Sequence, residues 1–176
     1  FEADSGECRW QFAVTGQVAS GPTAKDGTVL FATTLGVVCA LSGRDGSRCW
    51  EVTIESAKLQ VDPAVTDEYV CVVDTRGIVV ALDRQDGSQC WQHDLGGNSD
   101  TAPVCTEGVV LATTADGGVY CLDGETGKRR WRFDTGGPIV VTPATDGERV
   151  CVASRDQSLY MLDAVTGTEL WRVDHS

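Results

Sequence analysis

The chain has 176 residues, 41% of them hydrophobic, with 26 acidic against 14 basic side chains and a net charge of -12. That length supports one domain with a sizeable core, no apolar run is long enough for a membrane-spanning helix, and an acidic surface argues against a phosphate-binding, nucleic-acid partner. Eight cysteines without CxxC spacing and only two histidines, His93 and His175, argue against a zinc site.

In chain order, the N-terminal stretch FEADSGECRW ends at Trp10, and Pro22 follows twelve residues later. The segments TVLFATT, EYVCVVD, VVLATT and RVCVASR are short and rich in β-formers, and each predicts a strand. A turn follows each, with Gly36, Gly77 or Gly117, and Gln157 in the last copy. Next come VVCAL, IVVAL, VYCLD and LYMLD, then a glycine turn, then a strand carrying a tryptophan. No segment shows a helical apolar period. The stretches before each proline, TGQVASGP, ESAKLQVDP, GGNSDTAP and GGPIVVTP, are expected to form the innermost strands.

The five tryptophans, Trp10, Trp50, Trp91, Trp131 and Trp171, are spaced 40, 41, 40 and 40 apart. A glycine stands four residues before each: Gly6, Gly46, Gly87, Gly127 and Gly167. Asp83, Asp123 and Asp163 stand eight before, with Glu2 and Ser42 as variants. The one extra residue lies within 51–62, because Pro63 is thirteen residues after its tryptophan while the other prolines are twelve after theirs. About four short antiparallel strands per period make a propeller blade, and a blade must stack on others to bury both faces. The expected fold is therefore an all-β propeller of four-stranded antiparallel blades in a single domain, 1–176. Its repeats run over about 13–50, 51–91, 92–131 and 132–171, with an extra N-terminal outer strand in a partial repeat, 1–12. The tryptophans, glycines and aspartates of the motif read as a docking device between blades: Trp on the blade face, Gly in the turn, Asp on the turn backbone.

The motif LD-x-x-TG-x-x-x-W resembles the tryptophan-docking motif of pyrroloquinoline-quinone-like (PQQ-like) β-propeller repeats, over essentially the whole chain. The resemblance implies the propeller fold and is weak for function, since the family spans quinoprotein dehydrogenases, an outer-membrane assembly lipoprotein and accessory domains of larger proteins. Quinone binding in the dehydrogenases implies adjacent cysteines, a calcium site and a catalytic Asp. This chain has no adjacent cysteines, so no cofactor is expected.

Among other candidates, the sequence has no P-loop, GxSxG, HExxH or EF-hand pattern. His93 sits on a register that is otherwise apolar and reads as a tolerated substitution. The cysteines mostly replace apolar residues of the repeat, which suggests small buried hydrophobes, a reducing compartment and a cytoplasmic location. Cys39 and Cys49 are expected to be cross-strand neighbours and a candidate disulfide. The polar residues that the repeat does not explain, Lys58, Gln60, Asp62, Asn98 and Asp100, mark a candidate ligand or partner site at the channel mouth. Two architectures stay open: a closed four-bladed ring, or half of an eight-bladed ring completed by a homodimer. The expected function is a non-catalytic protein-interaction or sensing scaffold, part of a larger multidomain protein. The alternative is a small-ligand receptor or enzyme domain using the channel mouth. The chain starts without Met or a leader pattern, consistent with an excised part of something longer.

Overall fold

Each 40-residue period folds into one antiparallel four-stranded sheet, in the computed structural model that describes residues 4–18, 20–55, 57–106 and 108–174. Blade one holds β1 (Thr23–Lys25), β2 (Thr28–Ala32), β3 (Val37–Ser42) and β4 (Arg48–Thr53). Blade two holds β5 (Ala64–Val65), β6 (Tyr69–Val73), β7 (Ile78–Asp83) and β8 (Gln89–Asp94). Blade three holds β9 (Val104–Thr106), β10 (Val109–Thr113), β11 (Gly118–Asp123) and β12 (Arg129–Asp134). Blade four holds β13 (Ala144–Thr145), β14 (Arg149–Ala153), β15 (Ser158–Asp163) and β16 (Glu169–Asp174). Strands in every sheet pair in chain order, as hairpin connections dictate. The fold is a β-propeller.

The innermost strands begin after the prolines, not before them as expected. β1 follows Pro22, β5 follows Pro63, β9 follows Pro103 and β13 follows Pro143. Proline has no N–H to give a ladder, so it marks the point where pairing starts. Among the described residues the pre-proline stretches are loops, with only isolated bridges at Val18–Thr33 and Leu59–Asp74. β1 lies against β5 and β5 against β9, so these short strands form the narrow axial edge of the stack. Trp50, Trp91, Trp131 and Trp171 each sit in the middle of a fourth strand, which runs three residues beyond it, so the sheets end at 53, 94, 134 and 174.

Alternation along the strands gives every blade two apolar faces, and neighbouring faces fuse into separate cores. Leu30, Ala32, Val38, Ala40 and Trp50 of blade one pack on Val70, Val72, Val80 and Leu82 of blade two. Equivalent rows join blades two and three, through Trp91, Val110 and Tyr120, and blades three and four, through Trp131, Val152 and Tyr160. The fourth cluster joins Phe31, Cys39 and Leu41 of blade one to Trp10, Phe12 and Val14. The segment carrying those three residues makes no ladder, so the expected extra strand is a docked strip with no sheet behind it.

Candidate functional site

The contact between successive blades is built from the turn between the third and fourth strands. In blade three, Asp123 Oδ1 accepts the Thr126 backbone N–H at 2.9 Å and its hydroxyl at 2.8 Å. Asp163 does the same with Thr166 at 2.8 and 2.9 Å, and Asp83 accepts the Gln85 N–H at 2.7 Å. The bonds from Arg130, and then those from Thr126, hold the Asp123 carboxyl down to about 2; Asp163 is lowered by its Thr166 bonds. The Gly127 N–H donates to the Asp123 carbonyl at 2.8 Å, and its φ of 67° is left-handed, a conformation that favours glycine.

The bare Cα of that glycine is where the preceding blade's tryptophan lies. A Cβ on Gly46 would meet the Trp10 ring at 2.6 Å, one on Gly87 the Trp50 ring at 2.6 Å, one on Gly127 the Trp91 ring at 2.5 Å and one on Gly167 the Trp131 ring at 2.5 Å. Each indole Nε1–H then donates to the carbonyl three residues before the glycine. Trp50 reaches Arg84 at 2.9 Å, Trp91 reaches Gly124 at 2.8 Å, Trp131 reaches Ala164 at 2.9 Å and Trp10 reaches Gly43 at 3.1 Å. A buried aromatic with its one polar atom satisfied suits an interface.

Trp171 departs from the expected docking role. Trp50, Trp91 and Trp131 are 7–8% exposed, whereas Trp171 is 45% exposed. Among the described residues, no turn glycine lies under it and no carbonyl accepts its N–H. Trp10, Trp50, Trp91 and Trp131 each serve the turn one period downstream, an offset that the spacing of the motif alone does not reveal.

The proposed channel-mouth residues are all exposed, and the structure gives them different surroundings. Asp62 Oδ1 accepts the Gly21 N–H at 2.6 Å and so ties blade two to blade one. The Lys58 carbonyl accepts the Thr75 N–H and the Asn98 carbonyl the Ala115 N–H, as Gln17 does for Thr34 and Pro138 for Arg155. These two positions therefore use their backbones to brace the turns between second and third strands. Gln60 and Asp100 come together across a cleft of about 170 Å³, with Thr75 and Ser99 in its wall. The Ser99 hydroxyl is buried there without a hydrogen-bond partner. The extra residue of the period now has an address. Ile54, Leu95 and Thr135 donate to equivalent carbonyls, so the insertion lies between Ile54 and Lys58, where other blades have two residues.

Cys39 and Cys49 are not cross-strand partners. Cys39 lies opposite Glu51, and the register shifts between Ala40 and Leu41, which leaves Cys49 as the unpaired residue of a bulge. Cys39 is buried, Cys49 is exposed and both are free thiols. Burial, with Glu51 adding to it, pushes Cys39 up to about 11. The same bulge precedes Trp91, Trp131 and Trp171. His93 pairs with Val79 in an ordinary ladder. His175, Phe1 and Glu2 lie outside the described residues.

With this geometry in view, sequence comparison matches residues 1–105 and 75–176 to the PQQ_2 family, described as outer membrane protein assembly factor BamB. The chain belongs to this family. Its BamB-like repeats account for the whole length. A BamB of Moranella endobia (strain PCIT) is 35% identical over 60 residues, which is 34% of this chain and 16% of that protein. Among solved structures, BamB from Moraxella catarrhalis superposes with a TM-score of 0.84 at 22% identity, covering 95% of this chain and 56% of that one. Quinohemoprotein alcohol dehydrogenase from Comamonas testosteroni gives 0.81 at 19% identity, over 92% and 35%. The computationally designed Ika8 protein gives 0.80 at 18% identity, over 88% and 48%. The chain thus spans about half, or less, of these longer proteins, and the structural likenesses speak to the fold.

Proposed function

We propose that this chain is a non-catalytic arc of a BamB-like propeller and acts as a protein-interaction scaffold within a larger protein or assembly. The observation that carries the reading is the match along the whole chain to a family described as an outer membrane protein assembly factor. The Asp62 carboxylate, which ties blade two to blade one, and the Lys58 and Asn98 carbonyls, which brace the turns, support it by giving this rim a structural part. The partner surface in this reading is the axial loop rim around Gln60 and Asp100. Photo-crosslinking side chains placed at Gln60 and Asp100 should yield discrete protein adducts in the source cell, and one placed at Asp67 should not. Adducts that are absent from both rim positions would sink the reading.

A second reading, a small-ligand receptor or sensor, draws on the unpartnered Ser99 hydroxyl in the cleft between Gln60 and Asp100. A thermal-shift screen with quinone, calcium, nucleotides and sugars tests it. A clear stabilisation that Ser99→Ala abolishes would favour the receptor.

A further inference from the structure

Ser99 breaks the repeat at a position that is otherwise apolar. Four residues before the prolines stand Val18, Leu59, Ser99 and Ile139. Leu59 and Ile139 are 1% and 0% exposed. They fill the cores between blades one and two and between blades three and four. The period puts Ser99 at the matching place between blades two and three, where it is 2% exposed and brings a hydroxyl instead of a branched apolar side chain.

The exchange leaves room and an unmet polar group together. The cleft of about 170 Å³ lies here, walled by Val61, Val73 and Thr75, with the exposed Gln60 and Asp100 at its edge. Val61 and Val73 belong to the apolar packing between blades two and three. The nearby Thr101 hydroxyl is matched with that of Thr113 at 2.7 Å, whereas the Ser99 hydroxyl has no partner. A buried hydroxyl left unbonded is costly, so an occupant that bonds it is favoured.

The lining selects that occupant. The cleft is smaller than the pockets of about 300–1,000 Å³ that take drug-sized ligands, and one long side chain fills it. Asp100 is the one charged group in the lining, and it is negative, in a chain of net charge -12. Lys58 lies outside the lining, and Arg76 is committed to Asp74 at 2.6 Å. A lysine joins an apolar stem, which suits Val61 and Val73, to an ammonium with three donors and no acceptor, which suits the two hydroxyls and the carboxylate. Arginine presents five donors in a rigid fork, more than so narrow a cleft can meet.

We propose that this cleft is a socket for one lysine side chain of the partner protein. Its stem lies between Val61 and Val73, and its ammonium binds Asp100 and the Ser99 hydroxyl. The proposal rests on the reading of the rim around Gln60 and Asp100 as the partner surface, and it names the partner's chemistry: a basic segment that presents an anchoring lysine. The field of an acidic chain steers such a segment toward it.

Titration of the isotope-labelled full chain with the end-blocked peptide Gly-Gly-Lys-Gly-Gly, followed amide by amide in NMR, tests it. The expected result is a saturable shift at Gln60, Thr75, Ser99 and Asp100, lost when the lysine is acetylated and weaker with arginine in its place. Asp100→Asn should weaken binding about tenfold. Ser99→Leu, which installs the residue found before blade two, should fill the cleft and abolish binding with an unchanged far-UV spectrum. Ser99→Ala, which keeps the room and removes the hydroxyl, should weaken it severalfold. Asp67→Asn, in the turn between β5 and β6, should change nothing. No saturable shift, or equal shifts with the acetylated peptide, overturns the socket. So does binding of n-butylammonium without binding of the peptide, which would assign the cleft to a free amine. Crosslinked adducts at Gln60 and Asp100 with no response to lysine would remove the socket and leave the rim reading standing.

Discussion

Gly127 and Gly96 separate two costs that glycine substitutions usually mix. Both have left-handed φ, 67° and 79°, but a Cβ on Gly127 meets Trp91 at 2.5 Å and one on Gly96 meets nothing within 4 Å. Gly96→Ala should cost about 1 kcal/mol for backbone strain alone. Gly127→Ala should cost about 3 kcal/mol, because overpacking against the indole adds to the strain. Urea denaturation of both variants gives the comparison, and equal losses would show that the turn yields to the ring. Thiol chemistry offers a second check at this scale. Cys8, Cys49 and Cys90 are exposed, while Cys39 and Cys121 are buried and each pushed up to about 11 by that burial. Alkylation of the native chain near pH 8, followed by intact mass, should label the exposed three first. The buried pair should react only on unfolding.

The turn before each fourth strand is the element most exposed to acid. The Asp123 carboxyl is held at about 2 by its bonds to Arg130 and Thr126, against an ordinary value of 3.8. A depressed carboxylate stabilises the fold above its unfolded value, and that stabilisation is lost as pH falls through the folded one. Thermal stability should therefore fall between about pH 4 and pH 2, and Asp123→Asn should flatten that part of the profile. The turn before β15 makes a different prediction. Gln157 stands at φ 73° where the other blades have Gly36, Gly77 and Gly117. In those blades a side chain would strike the backbone carbonyl of Ile54, Gly97 or Gly137. The matching segment after β16 falls outside the described residues. Gln157→Gly should raise stability by about 0.5–1 kcal/mol in thermal melts, by removing left-handed strain; a loss would mean the glutamine side chain contributes contacts that outweigh it.

At the scale of the whole molecule, stability is a sum of blades and the contacts between them. Blade four has one covered face, and blades two and three have two. Amides of β15 and β16 should exchange faster than those of β7 and β11; uniform protection would mean the four blades open as one. The four four-stranded sheets and their strand order were legible in the sequence because the tryptophan period repeats a whole sheet. The Cys39–Cys49 pairing was not, because a bulge adds one residue before each tryptophan and shifts the hairpin by a step that spacing does not reveal. The pre-proline stretches misled for a related reason. Their apolar residues look strand-like, but proline delays the ladder until after it. Within the candidate rim, drift in the copies drew the eye to Gln60 and Asp100, which line one cleft. It could not distinguish them from Asp62, whose carboxylate is committed to the Gly21 N–H.

The offset between each tryptophan and its turn also sets a schedule for synthesis. Trp50 leaves the ribosome 37 residues before Gly87, and Trp91 and Trp131 each precede their turns by 36. A nascent blade can close its sheet as soon as its fourth strand emerges, yet its indole has nowhere to lodge until nearly a full period later. Blades one to three thus each pass through a stage in which the tryptophan is as bare as Trp171 is in this structure, and translation speed, more than sheet formation, sets how long each adhesive edge is bare.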